Sequence, residues 1–207
     1  MPQPLFFSFD GIDGVGKSTQ LQRFCQWLAT QGVEPVVCRD PGSTAAGERI
    51  RDLLLASEPE TPIGARTEML LYMAARAQLV DEIIRNALER GEIVVCDRYL
   101  LANIVYQGHA GGLDLDAVRR VGEVAVDGVV PDCIFLLDMD PEAAHGSLGS
   151  ELDRMERRGA TYRRRLREGF LNEAAAMGPS VEVIDAARDA ATVEADIQSI
   201  AARFFAD

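Results

Sequence analysis

Leu5-Phe6-Phe7-Ser8-Phe9-Asp10 runs directly into Gly11-Ile12-Asp13-Gly14-Val15-Gly16-Lys17-Ser18-Thr19. The second stretch satisfies G-x-x-x-x-G-K-[ST] at every fixed position. Its surroundings agree, since an apolar strand leads in and an amphipathic helix, Gln20–Ala29, leads out. Each residue type has a physical reason. Glycines let the backbone wind tightly, so that successive N–H groups aim at phosphate oxygens. The following helix turns the positive end of its dipole toward the same place. Lys17 has the reach for the β- and γ-phosphates of a nucleotide, and Ser18 has a hydroxyl for Mg²⁺. The bland alternative is a glycine turn without a ligand. It leaves one fact unexplained: among 21 Lys and Arg residues, Lys17 is the only lysine. Gly11, Ile12, Asp13, Gly14, Val15, Gly16, Lys17, Ser18 and Thr19 are therefore the expected phosphate cradle.

Outward from this loop, short β-rich runs alternate with helical periods. Leu5–Phe9, Pro35–Cys38, Ile93–Cys96, Cys133–Leu137 and Val181–Ile184 are apolar and rich in Val, Ile and Phe, as strands covered on both faces should be. The spacing predicts a helix over 67–90, with Met69, Met73, Ala77, Val80, Ile84, Ala87 and Leu88 on one face and Gly91 as the stop. Val193, Ile197, Ile200 and Phe204 mark a last helix. Alternation of this kind gives an α/β fold, a parallel sheet with helices on both faces. No repeat, low-complexity segment or linker interrupts it, and 207 residues suit one domain, 1–207. The one shift in composition is Arg154–Arg167, which holds seven arginines.

Composition narrows the partners. Hydrophobic residues at 47% and charged residues at 26% are ordinary for a globular chain. No apolar run approaches the roughly 20 residues of a membrane span. Met1–Leu5 carries no basic segment followed by an apolar core, so no export signal is expected and the cytoplasm is the expected compartment. Cys25, Cys38, Cys96 and Cys133 form no C-x-x-C pair and read as reduced thiols, three of them in strands. A net charge of −12 argues against a nucleic acid or an anionic membrane as partner. It does not argue against a small phosphate ligand. Surface charge is screened over roughly 8 Å, whereas one cation about 4 Å from a phosphate contributes a few kcal/mol.

Asp97 closes the third apolar run, at the sheet edge where α/β proteins bind ligands. There it can join Ser18 in a metal shell, directly or through water. Arg98 beside it offers a planar fork matched to phosphate. The alternative is an Asp–Arg pair at the start of a loop.

Taken in order, Phe9–Thr19, Arg39-Asp40-Pro41-Gly42, Leu70–Gln78 with Ala74-Ala75-Arg76, Asp97-Arg98-Tyr99, Tyr106-Gln107-Gly108 and Leu152-Asp153-Arg154 resemble the thymidylate kinases, nucleoside-monophosphate kinases that phosphorylate dTMP. The resemblance spans nearly the whole chain. It implies a three-layer P-loop NTPase fold, a five-stranded parallel sheet of order 2-3-1-4-5 flanked by helices, a small lid and a homodimer. It also implies ATP as phosphoryl donor, Mg²⁺ as cofactor and dTMP as acceptor. Tyr72 and Arg76 stand one helical turn apart and so share a face. In the family, the position of Tyr72 is usually Phe and stacks on thymine. Tyr72 keeps the ring; its other reading is a core aromatic. Arg76 would donate to a thymine carbonyl, and Asn103 can give and accept at the base edge. Tyr106 and Gln107 would line sugar and base, Tyr106 where a ribose 2′-hydroxyl would sit. Arg51 and Arg98 match arginines that clamp the monophosphate. Asp13 matches a carboxylate near the 3′-hydroxyl and the metal, and Asp10 and Asp40 replace the usual Glu. Arg188, in Asp185-Ala186-Ala187-Arg188, lies in the loop expected beside adenine. Arg49 and Arg119 read as solvated charges, and His109 and His145 as no part of a metal cage.

Phosphoryl transfer needs positive charge around the moving group and exclusion of water. Family members supply an arginine from the P-loop or from the lid. Gly14 stands at the P-loop position, so the lid, about 144–160, must provide it. Ala144–Glu151 is small and suits a hinge. His145, Ser147 and Gly149 stand where bacterial relatives place arginine, which leaves Arg154 first and Arg157 and Arg158 next. The rest of the arginine run reads as a solvated helix face paired with Glu151, Glu156 and Glu168. The expected catalytic set is thus Lys17, Arg98, Arg154 and Asp13. Two other readings stay open: a kinase of another nucleoside monophosphate, and a non-catalytic or regulatory P-loop nucleotide-binding protein, which the thinned lid motivates.

Overall fold

A computed structural model describes residues 3–55, 62–149 and 158–205. Strands β1 (Leu5–Asp10), β2 (Val36–Arg39), β3 (Ile93–Asp97), β4 (Cys133–Asp138) and β5 (Val181–Asp185) form one parallel sheet in the order β2-β3-β1-β4-β5. That is the order the family resemblance implied. Every strand runs one residue past its apolar segment and ends on a charge: Asp10, Arg39, Asp97, Asp138 and Asp185. The backbone ladder does not depend on side-chain polarity, so pairing outlasts the apolar pattern. The register sets Phe9 beside Asp97 and Asp10 beside Leu136. These charges crown the carboxyl edge of the sheet.

Burial on both faces holds for the central strands, where Phe6 and Phe7 are fully buried. It fails at the edges: Val37 of β2 is 52% exposed and Val183 of β5 is 49% exposed. An outer strand has one neighbour, and helices laid across the sheet cover its middle first. Alternation along β1 sends Phe7 and Phe9 into one layer and Phe6 into the other. Phe7 stacks on Phe135 at 5.8 Å and meets Phe24 edge-on at 5.2 Å, while Phe6 meets Tyr99 edge-on at 5.0 Å. Each such ring contributes about 1.5–3 kcal/mol on burial, and together they fix the base of the phosphate loop.

The helices are α1 (Lys17–Thr30), α2 (Ala45–Leu55), α3 (Ala65–Leu79), α4 (Arg85–Glu89), α5 (Leu100–Asn103), α6 (Leu115–Val126), α7 (Pro141–Gly146), α8 (Ala160–Met177) and α9 (Ala190–Ala202). The helix expected over 67–90 is α3 and α4 joined by a π turn, Val80–Ile84. Leu79, Val80 and Ile84 are fully buried along this wider turn. A second π segment, Ile104–His109, continues α5 and carries Tyr106 and Gln107. None of the described helices is long and apolar enough to cross a membrane.

Cys38, Cys96 and Cys133 are buried and Cys25 is half-buried, all four as free thiols. Burial pushes the Cys25 thiol up to about 11 and the Cys133 thiol up to about 12. The stretch read as a hinge from Ala144 starts inside α7. Asp140 caps that helix by accepting from the N–H groups of Glu142 and Ala143, and Pro141 opens its first turn. This start signal outweighs the small-residue composition that suggested flexibility.

Candidate functional site

Two cavities meet over the carboxyl edge of the sheet. The larger, about 760 Å³, runs along the phosphate loop and the start of α1, where Asp13–Thr19 line it. Asp97 and Arg188 also face it, with Ala186, Ala190 and Val193 forming an apolar end. The smaller is a slot of about 100 Å³ walled by Tyr72, Arg76, Asn103, Tyr106 and Gln107. Asp13, Asp40, Arg51 and Arg98 line both. A group passed from one cavity to the other would cross between these four side chains.

Gly11 and Ile12 lie behind the loop and act through their carbonyls. Lys17 Nζ donates to the Ile12 oxygen at 2.8 Å and lies 3.6 Å from Asp13 Oδ1. Arg98 Nη1 donates to the Gly11 oxygen at 2.9 Å. Gly11 has φ +133°, and a Cβ there would stand 2.4 Å from the Leu137 oxygen, so the turn cannot carry a side chain. Burial and the nearby Arg98 lower the Lys17 pKa, which Asp13, Asp97 and Asp10 partly offset.

Arg98 is the structural hub. Its backbone is left-handed, φ +68°, and its N–H donates to the Phe9 oxygen at 2.9 Å. Such strain persists only where surroundings over-determine it. Here the guanidinium donates to Gly11, to Asp13 Oδ1 and to the Tyr106 hydroxyl at 3.1 Å. Tyr106 in turn donates to Asp13 Oδ2 at 2.8 Å. Burial alone would raise Asp13; the charges of Arg98 and Lys17 and the bonds from Tyr106 and Arg98 hold it well below the usual carboxylate range.

Arg76 is 1% exposed. Its Nε and Nη2 both lie 2.6 Å from Asp40 Oδ2, its Nη1 touches Met73 Sδ at 3.2 Å, and its fork lies over Tyr99. The fork is thus fixed before any ligand arrives. Tyr72 is half-buried on the slot wall and belongs to none of the buried clusters, so it is not a core aromatic. Arg51 donates to the Pro41 oxygen at 3.0 Å. Arg188 is tied to the Asp185 oxygen and to Asp196 along the cavity rim.

Several buried acceptors have no hydrogen-bond partner among the described residues: both oxygens of Asp10, Asp97 Oδ1, Asp40 Oδ1 and Asn103 Oδ1. Burial, against the pull of Arg98 and Lys17, pushes the Asp10 carboxyl up to about 7. Ser18 is exposed on the same cavity as Asp97.

Arg154 and Arg157 lie outside the described residues, as do Glu151 and Glu156. The remaining arginines depart from the expected helix-face pairing. Arg167 grips Asp138 of β4 with bonds of 2.8 and 2.7 Å, and Arg163 reaches Glu142 of α7. These ties cross between elements, because α8 packs beside β4 and α7; only Arg164 and Arg165 are plainly exposed. Arg158 covers the Tyr162 ring and lies 3.8 Å from Glu68 Oε2. Arg119, read as solvated, donates to the buried Glu173 at 2.7 Å, which His109 also meets at 2.6 Å. Among the described residues no group of three His, Cys, Asp or Glu side chains forms a metal cage.

Sequence reasoning missed Leu55, Pro41 and Ala102 on the slot wall and Met139, Ser147 and Leu148 on the larger cavity. It also missed Glu68, four residues before Tyr72 and eight before Arg76 on one face of α3; that spacing was the available signal.

A profile of the thymidylate kinase family matches residues 9–197. The thymidylate kinase of Bifidobacterium longum strain DJO10A is 45% identical over 205 residues, covering 95% of this chain and 98% of its own. That of Symbiobacterium thermophilum is 41% identical over 197 residues, covering 95% and 92%. The crystal structure of thymidylate kinase from Ehrlichia chaffeensis superposes with a TM-score of 0.77 at 27% identity, over 97% of this chain and 99% of the other.

Proposed function

The chain belongs to the thymidylate kinase family, and from that premise we propose how its residues divide the transfer of a phosphoryl group from ATP to dTMP, giving ADP and dTDP. The observation that carries the division is the set Asp13, Asp40, Arg51 and Arg98, common to both cavities. The larger cavity takes ATP and the slot takes dTMP.

In the donor cavity Lys17 and the amides of Gly14–Ser18 neutralise the triphosphate, with Thr19 at the mouth and Arg188 beside the adenine end. At the junction Arg98 and Arg51 hold the acceptor phosphate in line with the donor. Asp13 holds Arg98 in place and faces the sugar. In the slot Tyr72 stacks on thymine, Arg76 donates to a carbonyl, and Asn103 and Gln107 meet the base edge. Tyr106 fills the space of a ribose 2′-hydroxyl. The acceptor is already an ionised phosphate, so no strong base is required. Rate then comes from positioning and electrostatics.

The donor set fits Mg²⁺, which takes hard oxygen ligands and keeps several waters. Asp97 Oδ1 and both Asp10 oxygens are buried acceptors lacking donors among the described residues, and Ser18 lines the larger cavity together with Asp97. Ser18 and Asp97 would hold the ion. When bound it neutralises charge on the donor phosphates.

Arg154 closes the site from a lid within 144–160, in a single domain. A homodimer is part of the reading, supported by the exposed apolar Leu53, Leu70 and Val124 on adjoining helices α2, α3 and α6. A cytoplasmic location is supported by four free thiols. The net charge of −12 supports no nucleic-acid or membrane partner. Family membership does not favour the non-catalytic reading. The test is a coupled assay of the purified protein with ATP and dTMP, dUMP, dCMP, dGMP or AMP. Preference for dTMP is expected, and a tenfold preference for another acceptor removes the assignment.

A further inference from the structure

We infer that Glu68 is a positioning residue that sets the hydrogen-bond polarity of the slot, so that it accepts from a pyrimidine N3–H and rejects a pyrimidine whose N3 is itself an acceptor. The inference rests on the reading of the slot as the dTMP site and adds a residue to it.

Three buried side chains form a chain that leads from behind the slot to its wall. Glu68, Gln107 and Asn103 are 4%, 2% and 2% exposed. Gln107 Nε2 donates to Glu68 Oε1 at 3.0 Å, and Asn103 Nδ2 donates to Gln107 Oε1 at 2.6 Å. A carboxylate only accepts, whereas an amide has one donor end and one acceptor end. With Glu68 at the back, Gln107 must turn its NH₂ toward it and its oxygen toward Asn103. Asn103 must then answer with its own NH₂. What remains is Asn103 Oδ1, buried, without a partner among the described residues, on a residue that lines the slot. The negative charge, two side chains removed from the ligand, thus fixes an acceptor at the base edge.

Arg76 supplies the complementary half. Its fork only donates and is clamped by Asp40. A donor and an acceptor that line the same slot match the O4 and N3–H of thymine or uracil. Cytosine presents N4–H₂ and a bare N3, so each contact would meet its own kind. Leaving such buried groups unpaired is how a polar site rejects a near isostere. The back of the chain is itself held, since Arg158 Nη2 lies 3.8 Å from Glu68 Oε2.

The test measures kcat/KM for dTMP and dCMP, with Kd for ATP and a thermal melt, on the unsubstituted protein, Glu68→Gln and Gln107→Met. Glutamine at 68 can offer either end, so the direction is no longer imposed. Methionine at 107 breaks the relay. Both variants should lower the dTMP/dCMP ratio at least tenfold, through KM for dTMP, with ATP Kd unchanged. A ratio kept within twofold in a folded variant overturns the inference. So does parallel loss of ATP affinity and melting temperature, which marks a merely structural role. A measurement on the unsubstituted chain stands beside these. With ¹⁵N-glutamine label, the Gln107 side-chain amide should be protected from solvent exchange with and without dTMP; a freely exchanging amide overturns the relay. If the unsubstituted protein itself does not prefer dTMP, the reading of the slot fails instead, and the two failures are told apart.

Discussion

The carbonyl oxygen of Ala144 lies 2.0 Å from the point a Cβ on Gly14 would occupy, so the end of α7 sits directly on the phosphate loop. Gly14 also has φ +88°, a conformation L side chains rarely adopt. Backbone closes this position to any side chain, which supports the proposal that an arginine of the lid acts there instead. Gly14→Ala should strain the loop and push α7 away, costing about 2–3 kcal/mol. For a chain of this size that is a fall in Tm of roughly 4–12 °C, with weaker ATP binding. A thermal melt and a titration with ATP check both, and an unchanged Tm would show that α7 yields freely.

Tyr106→Phe keeps the ring proposed to fill the ribose 2′ space and removes the hydroxyl that donates to Asp13 and accepts from Arg98. Arg98 then loses one of the bonds that aim it. The loss of a hydrogen bond to charged partners, about 1.5 kcal/mol or more, should lower kcat/KM for dTMP on the order of tenfold. Discrimination against the ribonucleotide should stay as it was. Steady-state kinetics with both acceptors separates the two effects.

Asp10 and Asp13 should give pH dependences of opposite sign. Burial lifts Asp10 from 3.8 to about 7, so between these values the folded chain holds a proton that the unfolded chain has lost, and stability from this group falls as pH rises. The gain in Tm of Asp10→Asn over the unsubstituted protein should therefore grow from pH 4 to 7 and then level off. Asp13 is depressed by Arg98 and Lys17 despite its burial. Its contribution is present above the ordinary carboxylate value and fades as pH falls below it, so Asp13→Asn should cost most at neutral pH and little in acid. Melts across pH in chelated buffer test both curves, and parallel curves would contradict the assigned environments.

Much of this was legible before any coordinates. The phosphate loop, five strands and most slot residues could be read because glycine, a lone lysine and short Val/Ile/Phe runs carry their own geometry. Side chains whose roles depend on distant neighbours could not be read. Arg119 has nothing in its local sequence to announce the buried Glu173 on α8, and Arg167 reaches Asp138 across an element boundary. Asp10 reads as a strand end, and only the packed neighbours reveal a carboxylate without donors. The π turn at Val80–Ile84 is hidden for a related reason: a widened turn changes the face by one residue while leaving composition untouched.

The lid arginine is testable by kinetics alone. If Arg154 stabilises charge on the moving group, Arg154→Ala should lower kcat about a hundredfold with KM values little changed. Arg158, spread over Tyr162 and near Glu68, should affect KM for dTMP more than kcat when changed to Ala. A kcat that survives Arg154→Ala moves the role to another lid arginine.

Asp97 ends β3 beside the phosphate loop with one oxygen lacking a donor among the described residues, and Ser18 shares its cavity. A hydrated Mg²⁺ would supply donors to that oxygen through its waters, in keeping with the proposed metal role. Asp97→Asn keeps the shape and removes the charge. The Mg²⁺ concentration for half-maximal rate should then rise on the order of tenfold, as for other groups that orient a metal's shell. Affinity for Mn²⁺ in the ADP complex, read by paramagnetic resonance, should weaken in step without any turnover. Chelation should stop turnover in both proteins. If Asp97→Asn leaves the metal requirement and the Mn²⁺ affinity where they were, the carboxylate serves the fold edge alone, and Asp10 becomes the next acid to test.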